Sequence, residues 1–147
     1  MSDLNNKDKD CIFCKIINKE MPCNLIVENV YAMAFLDAFP ASNGHALVIP
    51  KKHCIDLMSC DKIYLNEVFN LVKEVTLKID HSSLKPWGYN YLSNQGSIAG
   101  QVVNHFHVHI IPKYAKEEGF VLQQGKKVLD DNEKNLKKIL KSKYKIN

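Results

Sequence analysis

His105-Phe106-His107-Val108-His109-Ile110-Ile111-Pro112 places three of the chain's six histidines at every second position, with apolar residues between and after them. In an extended strand neighbouring side chains alternate faces, so the three imidazoles are expected on one face and Phe106, Val108 and Ile110 on the other. Consecutive imidazoles would then stand about 6.5–7 Å apart along the strand. Such a strand covers a core on one side and meets solvent or a cleft on the other. Exposed strand positions favour Thr, Val and aromatic residues, so a solvent-facing strand that is His-rich by coincidence is a poor account. Two chemistries remain. The row is a metal site, since imidazole ligates zinc, or a catalytic row in which one histidine attacks while its neighbours handle charge and protons.

Working outward, Asn94-Gln95-Gly96-Ser97-Ile98-Ala99-Gly100-Gln101 is a Gly/Ser/Asn loop leading into the histidines, and Tyr89-Asn90-Tyr91-Leu92 before it reads as a strand. The longest helix is expected from about Ile63 to His81, with Asp61 as its N-cap and Leu65, Val68, Phe69, Val72, Val75 and Ile79 on one stripe. Further upstream, His45 to Ile49 is a buried strand closed by Pro50, preceded by the Asp37–Gly44 loop and by strands at Tyr31–Leu36 and Leu25–Glu28. Cys11 to Lys19 has helical spacing and is stopped by Pro22, and Asp130 to Lys143 is a last amphipathic helix using Leu136, Ile139 and Leu140. Strands joined by short turns around two or three helices predict an α+β fold on an antiparallel sheet. With 147 residues, no internal repeat and no dividing linker, residues 1–147 are expected to form a single domain. Residues 1–10 are expected to be flexible, and 115–147 to form a variable, lysine-rich end.

Composition narrows the function classes. No run of apolar residues is long enough for a transmembrane helix, and the polar N-terminus lacks the apolar core of a secretory signal. Five cysteines, an odd number, argue against a disulfide framework and for a reducing compartment, cytoplasmic with nuclear sharing open. No membrane partner is expected. Residues 113–147 hold ten of the twenty lysines, but as a mixed-charge helix or solvated tail rather than a basic stripe interleaved with aromatics, so no nucleic-acid partner is expected either. The chain contains no arginine. Any bound phosphate must be held by imidazoles, amides, hydroxyls and backbone N–H groups.

Cys11-Ile12-Phe13-Cys14 is a C-x-x-C pair, which in such a compartment means zinc, redox chemistry or neither. Cys23, Cys54 and Cys60 are expected to be buried or incidental thiols.

Taken together, the His-apolar-His-apolar-His-apolar-apolar run at 105–111, Asp37, the segment Gly44-His45-Ala46-Leu47-Val48-Ile49-Pro50-Lys51-Lys52-His53, and Asn94 ahead of Gly100-Gln101 resemble the histidine triad superfamily of nucleotide hydrolases and transferases. The resemblance spans roughly residues 11 to 114. It implies a five-stranded antiparallel sheet with helices, two such sheets joining across a homodimer. It implies a nucleotide hydrolase acting at the α-phosphate of a purine nucleotide, either a dinucleoside polyphosphate or a nucleoside phosphoramidate. His107 would attack phosphorus to give a covalent nucleotidyl-histidine that water then releases as the nucleoside monophosphate. His109 would contact the phosphate and help leaving-group protonation, and His45 would orient the row. Asp37 would accept from ribose hydroxyls, with Asn94, Gly100 and Gln101 at the phosphate. Ile12, Phe13 and Phe35 would line the base pocket or be plain core. Members that hold structural zinc imply Cys11, Cys14, His53 and His105 as its ligands, with no organic cofactor. His109, where the transferase branch carries Gln, points to hydrolysis. Val102 departs from the Ser or Thr often found after this Gln, removing a hydroxyl near the bond being broken. Two other readings compete: a nucleotide-binding regulatory or scaffold protein, and a metal-dependent hydrolase with zinc on His105, His107 and His109.

Overall fold

A computed structural model describes residues 9–147. The expectation for 1–10 therefore falls mostly outside the described residues. The elements run α1 (Ile12–Ile17), β1 (Leu25–Glu28), β2 (Ala32–Leu36), β3 (Ala46–Pro50), α2 (Lys62–Asp80), β4 (Gly88–Leu92), a 3₁₀ turn at Ser97–Ala99, β5 (Val108–Lys113) and α3 (Asn132–Leu140). All strand pairs are antiparallel, in the order β1-β2-β3-β5-β4. The α+β fold on a five-stranded antiparallel sheet is thus as expected.

Period-2 alternation sends each strand's residues to two different cores. On one face Ala32, Ala34, Ala46, Val48, Phe106, Val108 and Ile110 pack under Val68, Leu71, Val72, Val75 and Ile79 of α2. Three alanines at those positions let the helix lie close to the sheet. On the other face Met33, Phe35, Leu47 and Ile49 meet Phe13, Cys14 and Ile16 of α1. β2 and β3 are covered on both sides, which is why they read as unbroken apolar runs. The stripe of α2 differs at one position. Phe69 is exposed and Leu71 takes a buried place, because the true helical stripe is set by which residues meet the sheet. Asp61 sits at the N-cap position, but its carboxylate pairs with Lys52 at 2.6 Å instead of capping the helix by hydrogen bond.

The histidine row is only partly a strand. β5 begins at Val108, because the Phe106 N–H leaves the ladder for the Cys54 carbonyl at 2.7 Å and the His107 ring turns back onto the His105 carbonyl. Alternation nevertheless persists: Phe106 faces α2 while His105 and His107 face α1. The polar face does not lie open, since α1 covers it and leaves His105 0% and His107 8% exposed. At the other end, α3 is shorter than expected, and Leu136, Ile139 and Leu140 on it are all exposed.

Candidate active site

The three imidazoles face three different environments. His105 Nε2 lies 2.9 Å from the Pro50 carbonyl, which fixes its proton on Nε2 and leaves Nδ1 as a lone pair. That lone pair points at Cys11 Sγ (3.4 Å), Cys14 Sγ (3.6 Å) and His53 Nδ1 (3.2 Å), and Cys14 Sγ is 3.3 Å from His53 Nδ1. The four donor atoms lie within 4.8 Å of one another. A zinc ion with N and S ligands has tetrahedral edges of about 3.3–3.8 Å, so two thiols and two imidazoles at these separations fit such an ion. Cys11 is also the N-cap of α1, its sulfur accepting the Cys14 N–H, so the cluster is built on the start of that helix.

His107 Nδ1 donates to the His105 carbonyl at 2.7 Å, leaving Nε2 without a proton. Burial lowers its pKa against the opposing pull of the His105 carbonyl and Asp37, and keeps the ring neutral. Ser93 Oγ donates to the His107 carbonyl at 2.8 Å and holds the backbone there. Phe13 stands edge-on to the ring, with centroids 5.2 Å apart.

His109 pairs with Leu47 across β3 and with Leu92 across β4. Its Nδ1 is 3.0 Å from His45 Nε2. The Ala41 N–H donates to His45 Nδ1 at 2.9 Å, so the His45 proton must sit on Nε2 and be given to His109. The neutral His109 ring therefore carries its own proton on Nε2. Burial first, then the neighbouring His107 and His45, push its pKa down to about 4, against the opposing pull of Asp37. Asp37 Oδ2 lies 3.5 Å from His45 Nε2, and its Oδ1 accepts the Phe39 N–H at 2.9 Å. Asp37, His45 and His109 also resemble a metal-ligand set. The Ala41 hydrogen bond argues otherwise, since a protonated Nε2 has no lone pair for a cation.

Beside the triad opens a cavity of ≈ 450 Å³ lined by Ile12, Phe13, Phe35, Asp37, Phe39 and Val102, among others. Its walls are apolar, and Asp37 is the one charged side chain among the described residues lining it. The three residues expected at a base pocket all line this cavity. Phe39, 90% exposed at its rim, was not signalled by the sequence.

Asn94 and Gly100 meet in the loop before the triad. Asn94 Nδ2 donates to the Gly100 carbonyl at 3.3 Å, and Gly100 adopts φ +96° where a Cβ would lie 3.3 Å from that nitrogen. Gln101 is buried, and its carboxamide is committed inside the protein. Oε1 accepts from Gly96 N at 2.9 Å, while Nε2 donates to the Ile55 carbonyl at 2.7 Å and the Val103 carbonyl at 3.0 Å. His105, His107 and His109 do not converge on one point: their Nδ1 atoms serve the Cys/His cluster, a backbone carbonyl and His45 respectively. That geometry disfavours a single zinc ion on the row. Among the described residues no helix is long and apolar enough to cross a membrane.

A family model for the HIT domain matches residues 18–116. The adenosine 5'-monophosphoramidase of Schizosaccharomyces pombe is 44% identical over 74% of this chain and 78% of its own. Among solved structures, a HIT family protein from Bacillus subtilis is 32% identical, covering 95% of this chain and 100% of that one with a TM-score of 0.83. A Zn-bound histidine triad family protein from Mycobacterium smegmatis is 28% identical over 80% of this chain and 84% of that one, with a TM-score of 0.71. With its histidine row, its sheet order and these likenesses in agreement, the chain belongs to the HIT domain family.

Proposed function

We propose that this chain is a nucleotide hydrolase that cleaves at the α-phosphate of adenosine 5'-phosphoramidate-type substrates through a nucleotidyl-histidine at His107. The observation that carries the reading is the 2.7 Å hydrogen bond from His107 Nδ1 to the His105 carbonyl. It presents an unprotonated Nε2 as nucleophile on a ring that burial keeps neutral. The nucleoside would occupy the apolar cavity, with Asp37 at the ribose. His107 Nε2 attacks phosphorus and the P–N bond breaks. The amine departs protonated, with His109 as the shuttle between it and solvent. Water then attacks phosphorus, loses its proton through the same imidazole, and frees His107 and the nucleoside monophosphate. The donors on the phosphoryl oxygens are the His109 Nε2–H and the second amide hydrogen of Asn94.

A phosphoramidate is favoured over a dinucleoside polyphosphate by charge. A polyphosphate brings several negative charges to a site whose proposed phosphate donors are neutral imidazole and amide groups, in a chain without arginine, whereas a phosphoramidate brings one. The phosphoramidase named among the relatives supports the same choice.

Cys11, Cys14, His53 and His105 would hold zinc, consistent with the Zn-bound relative. Bound there, zinc would crosslink α1 to residues 53 and 105 and keep both sulfurs as thiolates. A homodimer is part of this reading, and β1 and β4 are the edge strands available for joining two sheets. The test is intact-mass analysis after rapid mixing with an adenosine phosphoramidate. A transient adduct of one adenylyl group, absent in His107→Ala, is expected; turnover by His107→Ala at the wild-type rate would overturn the assignment.

A further inference from the structure

Both amide hydrogens and the oxygen of the Gln101 carboxamide are bonded to other parts of the protein, and its own backbone N–H goes to the Gly96 carbonyl at 3.1 Å. Gly96 and Val103 bracket the stretch that contains Gly100 and Val102, so two of the three carboxamide bonds, together with the backbone one, fold the loop beside the cavity onto itself. The third, to the Ile55 carbonyl at 2.7 Å, reaches out of that loop to a turn 46 residues earlier. The turn is a junction. His53 faces the Cys/His cluster, Cys54 gives its carbonyl to Phe106 N between the first two histidines of the triad, and Ile55 gives its carbonyl to Gln101.

We infer that Gln101 is a positioning residue that transmits the assembled state of the Cys11/Cys14/His53/His105 cluster to the nucleotide loop at 94–103. The physical argument is one of alternatives. A buried amide with both hydrogens and its oxygen satisfied has one low-energy arrangement. If the turn at 53–55 shifts because its cluster is not assembled, the Ile55 carbonyl is lost as a partner. Nε2 must then find another acceptor, and the Oε1 contact to Gly96 moves with it. Val102 at the cavity and Gly100 beside Asn94 lie between those anchor points, so loop order and nucleotide affinity should fall together. The inference rests on the proposed function for the ligand that reads it out, but not for the coupling itself.

Two readouts test it on the full-length protein, zinc-loaded and after removal of zinc by a chelator. The first is amide hydrogen exchange of residues 96–103, which needs no activity. The second is equilibrium binding of AMP, with kcat and KM for a phosphoramidate measured on the loaded protein. In wild type, zinc removal should speed exchange in 96–103 and weaken AMP by about tenfold. In Gln101→Met, similar in length but without the polar atoms, exchange should be fast and AMP weak with zinc present. Removing zinc should then change either by no more than about twofold, and the loss of kcat/KM should lie mainly in KM. Gln101→Glu, which keeps an acceptor for Gly96 and loses both donors, serves if the Met variant does not fold. Unchanged exchange and AMP affinity on zinc removal from wild type would overturn the coupling. So would a collapse of kcat in the variants with exchange and KM unchanged, since that marks Gln101 as touching the reacting atoms. If wild type neither binds AMP nor turns over while the exchange pattern behaves as stated, the proposed function fails and the positioning role stands.

Discussion

His45 Nε2 lies 3.0 Å from His109 Nδ1, and the chain's own backbone decides which of the two carries the shared proton. The Ala41 N–H occupies His45 Nδ1, so His45 must donate and His109 must accept. Replacing His45 by Ala removes the donor and frees the tautomer of His109. The expected result is a fall in kcat of about 10²-fold, the lower end of the range for losing a proton-transfer group, since His109 itself remains. The ¹⁵N shifts of the His109 ring should change from a pure Nε2–H pattern to a mixed one. An unaltered tautomer in that variant would refute the relay even if activity fell.

His107→Ala should lower turnover by several orders of magnitude with the fold retained, because it deletes the proposed nucleophile and leaves the partners in place. Added imidazole should restore part of the activity, since a neutral imidazole can occupy the vacated space. Loss of the thermal transition in this variant would mean that the ring's packing against Phe13 matters more to stability than supposed.

The depressed pKa of His109 gives a pH dependence of definite sign. Folded, the ring titrates at about 4, while an unfolded histidine titrates near 6.5. Between those values the unfolded chain binds a proton that the folded chain refuses. The contribution is fully present above pH ~6.5 and is lost as pH falls toward 4. Denaturant midpoints at pH 7 and 4.5 should therefore differ less in His109→Gln than in wild type. An equal or larger difference would contradict the burial effect.

Much of this arrangement was legible from the chain. The period-2 histidines gave the correct faces because alternation is a property of extended backbone whether or not the ladder is formed. The C-x-x-C spacing of Cys11 and Cys14 was legible but left zinc, redox chemistry or neither open, and only the family resemblance pointed to His53 and His105, which the two cysteines do meet. The roles of Ala41, Pro50 and Ile55 were not legible, since each acts through a backbone group that any residue type supplies. Gln101 shows a related limit. Its type suits phosphate as well as it suits two carbonyls, and only the fold brings those carbonyls within reach. Phe69 shows the limit of periodicity, which finds a helical stripe but not which edge of it meets the sheet.

If zinc occupies the cluster as proposed, stripping metal from the protein, or substituting Cys14→Ser, should lower the melting temperature and, in what remains folded, raise KM about tenfold while kcat stays close to wild type. The cluster ties α1 to residues 53 and 105, so its loss acts on stability first. One equivalent of zinc per chain in wild type, and none in the substituted protein, is the expected metal analysis. Wild-type stability after complete metal removal would leave the cluster as a set of reduced thiols without structural consequence.

Phe13 joins the two sites. Its ring is 6% exposed and lies edge-on to Phe35, His105 and His107, at centroid distances of 5.8, 5.8 and 5.2 Å. Phe13→Ala should cost about 3–5 kcal/mol, the range for emptying a buried aromatic site. Phe13→Leu keeps most of the volume and should cost below about 1.5 kcal/mol. The leucine variant separates packing from chemistry. A flat ring edge no longer confines His107, so kcat should fall severalfold while zinc content and melting temperature stay close to wild type. The cavity proposed for the nucleoside also loses an aromatic wall, so KM should rise in the same variant. A leucine variant with wild-type kcat and KM would reduce Phe13 to filler. One that lost its zinc would place the ring's main duty at the cluster instead.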